Sequence, residues 1–144
     1  MSLVSLGRAF IFGLFIMVAA SGQGFAEVSI ITPEVALEQS KSGDILLLDI
    51  RTPAEWGQTG IAVTAKPLTM HQKPADFFSK LDKLTQGDKA KPVALICATG
   101  GRSEWLSKQM EKAGYTNVID VSEGMMGNKR GPGWLKRGLP VKQP

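Results

Sequence analysis

The chain of 144 residues has only one cysteine, Cys97, so no disulfide can form within it. It has no internal repeat and no low-complexity segment. Its basic residues are scattered and are not interleaved with aromatic residues, so no nucleic-acid surface is expected. No motif predicts a metal or an organic cofactor. With 43% hydrophobic and 21% charged residues, the composition is typical of one globular domain.

No apolar run is long enough for a comfortable membrane span, which needs about 20 residues. A shorter run, from Ala9 to Ala20, follows the basic residue Arg8 and precedes Gly24-Phe25-Ala26. Small residues such as Gly24 and Ala26, a few positions after an apolar run, are typical of a signal peptidase site. The pattern predicts a signal peptide over residues 1–26 and a mature domain over residues 27–144. Export is therefore expected, to the periplasm if the source is a Gram-negative bacterium, with membrane attachment only if the segment is not cleaved.

Segments with the patterns of strands and helices alternate along the mature domain. Continuous apolar runs predict strands buried on both faces of a sheet at 45–48 and 93–96. Shorter strands are predicted at 28–31, 65–68 and 118–121. Helices are predicted at 32–41, 75–84 and 104–113, with a helical turn at 52–55. This order predicts an α/β fold with a central parallel sheet of about five strands and helices on both faces.

Cys97 directly follows the predicted strand 93–96 and opens the segment Ala98-Thr99-Gly100-Gly101-Arg102-Ser103. The two glycines allow the backbone to curl and to aim several N–H groups at one point. Ser103 is predicted to be the N-cap of the next helix. A helix N-terminus and a guanidinium both stabilise a thiolate. The pattern predicts that Cys97 is an accessible thiolate nucleophile beside an anion site.

The alternative for Cys97 is a buried structural cysteine, which is the commonest role of a free thiol. That role does not account for two glycines and an arginine directly after it. Ligands of parallel α/β sheets bind at the carboxyl ends of the strands, which is where Cys97 falls. The functional interpretation is therefore preferred. The single histidine, His71, is predicted to be a solvated loop residue rather than a catalytic base.

These motifs resemble those of a known family. Cys97-x-x-Gly100-x-Arg102-Ser103 after a buried strand is similar to the active-site loop of single-domain rhodanese sulfurtransferases. Residues 46–56 resemble that family's Asp-x-Arg-x-x-x-Glu-aromatic segment, and residues 123–125 resemble its closing turn. The resemblance implies a rhodanese-like fold. It also favours a structural rather than catalytic role for Asp49 and Arg51.

The resemblance implies two-step sulfur transfer through a persulfide on Cys97. The expected donor is a small anionic sulfur compound, thiosulfate or a persulfide, and the expected acceptor is a thiol or cyanide. The implied substrate-binding residues are Ala98, Thr99, Gly100, Gly101, Arg102 and Ser103. Many such loops carry a basic residue directly after the cysteine, where this chain has Ala98. Weak thiosulfate binding and a persulfide donor are therefore expected.

Two alternatives stay open at this point. The first is an exported persulfide carrier or interaction module with little turnover of its own. The second is a phosphatase or arsenate reductase. Tyrosine phosphatases place one residue more between cysteine and arginine than this chain, in which residues 98–101 intervene. The shorter loop suits a single sulfur atom better than a phosphate group, so the second alternative is disfavoured.

Overall fold

The computed structural model describes residues 28–144. Its elements in chain order are β1 (Ser29–Ile30), α1 (Pro33–Ser42), β2 (Leu46–Asp49), α2 (Pro53–Thr59), β3 (Ile61–Ala62), β4 (Lys66–Pro67), α3 (Pro74–Thr85), β5 (Val93–Ile96), α4 (Gly101–Lys112), β6 (Val118–Asp120), α5 (Gly133–Lys136) and β7 (Val141–Lys142). The predicted signal peptide lies outside the described residues. Within them, no helix is long and apolar enough to cross a membrane.

Five strands form one sheet in the order β1-β6-β5-β2-β4, and every pairing in it is parallel. The predicted α/β class and strand number are confirmed. A second, two-stranded sheet pairs β3 with β7 in antiparallel register. This pair is not predicted from the sequence, because strands of two residues are too short to show an alternating pattern.

Helix α1 begins and ends where its capping residues predict. The Thr32 side chain accepts a hydrogen bond from the Val35 N–H, and Pro33 occupies the first helical position. Gly43 ends the helix with φ of 85°, a left-handed conformation that favours glycine. Helix α2 starts with a full capping box between Thr52 and Glu55, and it extends further than the single turn expected there.

The core consists of two apolar layers, one on each face of the main sheet, as predicted. One layer joins α1 and α5 to the sheet and contains Ala36, Leu47, Ala94, Ile96 and Trp134. The other joins α3 and α4 to the sheet and contains Leu48, Phe77, Leu81, Leu95, Cys97 and Met110. Trp134 is fully buried, and its indole N–H donates to the Pro140 carbonyl at 3.0 Å.

A buried ion pair closes the end of β2. Arg51 Nε donates to Asp49 Oδ1 at 2.9 Å, and Arg51 Nη2 donates to Asp49 Oδ2 at 2.7 Å. The remaining groups of the pair are also satisfied, by Thr59 Oγ1, the Gly60 carbonyl and the Trp56 indole N–H. Both charged side chains are essentially inaccessible to solvent. The structural role predicted for Asp49 and Arg51 therefore agrees with these contacts.

We expect Arg51→Met to lower the free energy of unfolding by about 3–5 kcal/mol, because it leaves the Asp49 carboxylate buried without its partner. Urea denaturation measures the loss. The matched control is Lys108→Met, which breaks the exposed Lys108–Glu104 pair and should cost less than about 1 kcal/mol. Equal losses in the two variants would contradict a structural role for the buried pair.

Candidate active site

Cys97 lies at the carboxyl end of β5, the central strand of the main sheet. Its Sγ accepts a hydrogen bond from the Gly100 N–H at 3.1 Å and lies 3.5 Å from Ser103 Oγ. The loop that follows therefore turns back toward the sulfur, as the two glycines predict. An N–H donor at this distance stabilises negative charge on sulfur.

The thiol is less accessible than the sequence predicts. Cys97 is only 1% exposed, because the turn through Gly100 covers the sulfur and the apolar layer beneath α4 surrounds it. Of the amides in residues 98–103, the one that bonds to Sγ is that of Gly100. The loop is thus a tight turn around one sulfur atom, which agrees with the loop length expected for a single sulfur.

Gly100, not Ser103, is the N-cap of α4, so the predicted capping role of Ser103 is wrong. Gly100 has φ of 90°, and a Cβ built on it would lie 2.1 Å from the Ser122 carbonyl oxygen. The close turn therefore starts the helix earlier than expected, at Gly101. Ser103 lies within the first turn, fully buried, and its hydroxyl donates to the Gly100 carbonyl at 3.0 Å.

The segment after β6 donates hydrogen bonds to the backbone of the cysteine loop. The Met125 N–H donates to the Cys97 carbonyl and the Met126 N–H donates to the Ala98 carbonyl, each at 2.8 Å. The Asn128 amide donates to the Thr99 carbonyl at 2.8 Å. The backbone of residues 97–99 therefore has fixed partners outside the loop, which restricts its motion.

Arg102 is not free in the structure. Its Nη1 donates to Glu55 Oε2 at 2.9 Å and its Nη2 donates to Glu55 Oε1 at 2.5 Å. This hydrogen-bonded pair raises the pKa of Arg102 and lowers the pKa of Glu55 to about 2. The His71 Nε2 lies 3.1 Å from Arg102 Nη1, and the His71 side chain is exposed, as predicted for a loop histidine.

A buried carboxyl group lies at the end of β6, beside β5. Asp120 is 1% exposed, and its Oδ1 has no hydrogen-bond partner among the described residues. Burial raises the pKa of this carboxyl, while Ser103 and Arg130 oppose the rise. Asp120 is therefore a buried and incompletely hydrogen-bonded carboxyl group close to the cysteine loop, and it was not among the residues predicted from the sequence.

The structure brings together the loop residues named from the sequence, and it adds two that were missed. Ala98 is half-buried, and Thr99 and Gly101 are exposed at the surface of the loop. Glu55 and Asn128 were missed as partners of this loop. Glu55 reaches the loop because β2 and β5 are parallel neighbours, so the segments that follow the two strands emerge at the same edge of the sheet. No metal-binding cluster of His, Cys, Asp and Glu occurs within residues 28–144.

The fold and the site define a single α/β domain with its lone cysteine in a tight strand-to-helix loop at the carboxyl edge of a parallel sheet. The model of the rhodanese-like domain family matches residues 32–130, and the chain belongs to that family.

Two curated relatives support this assignment. The chain is 32% identical over 101 residues to a sulfurtransferase of Allochromatium vinosum. The aligned region covers 70% of this chain and 81% of the relative. It is 28% identical over 109 residues to the putative sulfur carrier protein YrkF of Bacillus subtilis. That aligned region covers 72% of this chain and 55% of YrkF. Among solved structures, Rv0390 of M. tuberculosis aligns with a TM-score of 0.64 at 25% identity, covering 81% of this chain and 98% of that one.

We expect Gly100→Ala to lower the free energy of unfolding by about 2 kcal/mol or more, since a Cβ at positive φ would collide with the Ser122 carbonyl. The same variant should change the rate at which a thiol reagent modifies Cys97. The neighbouring Gly101→Ala is the control, because nothing lies within 4 Å of its added Cβ, and its stability should change by less than about 0.5 kcal/mol. Similar behaviour of the two variants would contradict the turn described here.

We expect Asp120→Asn to be more stable than the wild type at pH 7 by about 1 kcal/mol, because it removes a buried carboxylate without a full set of partners. Folding raises the pKa of the Asp120 carboxyl above its ordinary value of 3.8. The protonated carboxyl therefore stabilises the folded state below pH 3.8, and this stabilisation is lost as the pH rises through the folded-state pKa. The advantage of Asp120→Asn should therefore shrink toward pH 4 in urea denaturation. Glu38→Gln, at an exposed site on α1, is the control; a pH-independent difference for Asp120→Asn would refute the assignment.

Proposed function

We propose that this protein is a sulfurtransferase that moves a sulfane sulfur from thiosulfate or a persulfide donor to a thiophilic acceptor through a persulfide on Cys97. The observation that supports this most directly is the position of the Cys97 sulfur. It lies at the carboxyl end of the central strand and accepts the Gly100 N–H at 3.1 Å. Membership of the rhodanese-like family supports the same chemistry.

In the first step, the Cys97 thiolate attacks the sulfane sulfur of the donor. A new S–S bond forms on Cys97 while the donor's own bond to that sulfur breaks. The leaving group is sulfite when the donor is thiosulfate, and the parent thiolate when the donor is a persulfide. The bonding electron pair departs with the leaving group, so no external oxidant or reductant is needed.

In the second step, the acceptor attacks the outer sulfur of the Cys97 persulfide. Cyanide leaves with that sulfur as thiocyanate, and a thiol leaves as a new persulfide, while Cys97 returns to the thiolate. The Gly100 N–H is placed to stabilise negative charge on the Cys97 sulfur in both steps. The hydrogen bonds from Met125 and Met126 would hold the loop carbonyls away from that charge.

The tight turn supports sulfur as the transferred group. A phosphate needs several N–H donors around four oxygens, whereas Gly100 supplies one N–H directly to the Cys97 sulfur. With Cys97 1% exposed, a donor reaches it through a terminal sulfur atom more easily than through a bulky group. These features favour sulfur transfer over the phosphatase and arsenate reductase alternatives.

A second candidate is a persulfide carrier that loads sulfur but turns over slowly without a partner protein. The burial of Cys97 favours this candidate, because a buried persulfide is protected from small acceptors in solution. The putative sulfur carrier YrkF is one of the relatives of this chain.

We also propose that the domain acts outside the cytoplasm, with cleavage after Ala26. The support is the apolar run from Ala9 to Ala20 and the small residues that follow it. In an exported protein, a lone thiol has no intramolecular partner with which to form a disulfide, so it stays free for exchange chemistry.

Incubation of the wild type with cysteine persulfide should add about 32 Da to Cys97 in intact-mass spectrometry, because one sulfur atom is transferred. Cys97→Ser should show no added mass. Dithiothreitol should remove the mass from the wild type. That treatment separates a persulfide from a sulfinic acid, which adds about the same mass but is not reduced by thiols.

Loading followed by rapid release to cyanide or a thiol identifies the enzyme, whereas loading with negligible release identifies the carrier. The control is the stability of Cys97→Ser in urea, which should remain close to that of the wild type. If neither thiosulfate nor a persulfide loads the wild type, or if Cys97→Ser still loads, the proposed function is wrong.

A further inference from the structure

Arg102 is the only charged side chain of the loop 97–103, and its charge is already neutralised. Two hydrogen bonds join its two Nη atoms to the two Glu55 carboxylate oxygens, at 2.9 and 2.5 Å. This fork-to-fork geometry is the one that Arg also uses to bind an oxyanion. The Glu55 carboxylate therefore occupies the face of Arg102 that a sulfonate group would otherwise bind.

Glu55 is held in this position by its own helix. Its Oε2 accepts hydrogen bonds from the Thr52 backbone N–H and from the Thr52 hydroxyl, each at 2.9 Å. The first of these bonds and the Glu55 N–H to Thr52 Oγ1 bond form the capping box of α2, so the carboxylate does not depend on Arg102 for its placement. The low pKa of Glu55, about 2, keeps its carboxylate charged at neutral pH.

The two donor classes place different charges beside this pair. Thiosulfate carries two negative charges, and the sulfonate that becomes sulfite must be stabilised as it departs. To reach Arg102 it has to displace Glu55 or to bind next to it, at the cost of like-charge repulsion. The sulfane end of an alkyl persulfide carries at most one negative charge and no sulfonate. It needs no free guanidinium.

Resting on the function proposed above, we propose that Glu55 is a specificity-determining residue, which neutralises Arg102 and so selects persulfide donors over thiosulfate. In the favoured reaction, the Cys97 thiolate takes the outer sulfur of R–S–SH. The S–S bond of the donor breaks, RS⁻ leaves, and Cys97 becomes Cys–S–SH. Atoms and charge balance without a further reactant.

The test uses Glu55→Gln, which removes the charge but keeps the length of the side chain. The amide oxygen of Gln can still accept the Thr52 N–H, so the capping box is retained. We expect kcat/KM for thiosulfate to rise about tenfold, mainly through KM, while that for cysteine persulfide changes less than about twofold. A merely structural role of Glu55 would change the two donors alike.

Two further variants sharpen the result. Glu34→Gln removes a carboxylate from another arginine pair, Glu34–Arg137, and should leave the preference between donors unchanged. The double variant Glu55→Gln/Arg102→Gln should lose the thiosulfate gain, because that gain requires a free guanidinium. A gain that survives in the double variant would assign thiosulfate binding elsewhere, such as the cavity of about 440 Å³ beside Gly100 and Gly101 that includes Lys129 and Arg130.

The wild type alone also tests the proposal, whatever the stability of the variants. It should use cysteine persulfide with a kcat/KM at least about tenfold above that for thiosulfate. A preference for thiosulfate, or an unchanged thiosulfate KM in a folded Glu55→Gln protein, overturns the role of Glu55 and leaves sulfur transfer intact. Failure of both donors to load Cys97 in the wild type refutes the function itself.

Discussion

The parallel hydrogen-bonded pairing of β2 with β5 is the constraint on which the site depends. Leu48 lies opposite Leu95 and Asp49 opposite Ile96, so both strands end at the same edge of the sheet. The residues that follow the two strands, Ile50 and Cys97, therefore leave the sheet side by side, and the Ile50 N–H still bonds to the Ile96 carbonyl. A shift of this register would separate Glu55 from Arg102, although each lies in a separately formed helix.

Residues 49–55 contribute to two ion pairs, one buried and one partly exposed to solvent. Asp49 and Arg51 are buried, and they are tolerated there because nearly every donor and acceptor of the pair is satisfied. Glu55 is one turn of helix further on and about a quarter exposed, where an ion pair contributes little to stability. The buried pair shapes the strand end, and the outer carboxylate sets the charge at the cysteine loop.

The C-terminal part of the chain packs against the cysteine loop and fixes its position. Gly124, at φ of 68°, lets the chain pass so close to the loop that a Cβ there would lie 2.4 Å from the Ala98 carbonyl oxygen. Glu123 then bonds to Arg137 and to the Gly133 N–H, which ties this turn to α5. The loop around Cys97 is thus held from two sides, by the start of α4 and by the segment after β6.

Local chemistry was sufficient to predict most of the elements. The Thr-Pro starts of α1 and α2, the stop at Gly43 and the apolar runs of β2 and β5 act over a few neighbouring residues, so they can be identified from the chain alone. The same holds for the position of Cys97 at a strand end and for the glycine-rich turn after it. The two-stranded β3–β7 sheet could not be predicted, because it joins residues about 80 positions apart over very short strands.

The amino-acid sequence by itself determined the parallel α/β class and the cysteine loop, since each depends on hydrophobic pattern or on groups close together in the chain. The structural role of Asp49 and Arg51 was implied by the family resemblance of residues 46–56. Only the tertiary structure decided that Gly100 caps α4, that Cys97 is covered, and that Glu55 neutralises Arg102. Those outcomes depend on distances between segments far apart in the chain, which are set by strand register and by packing across the sheet.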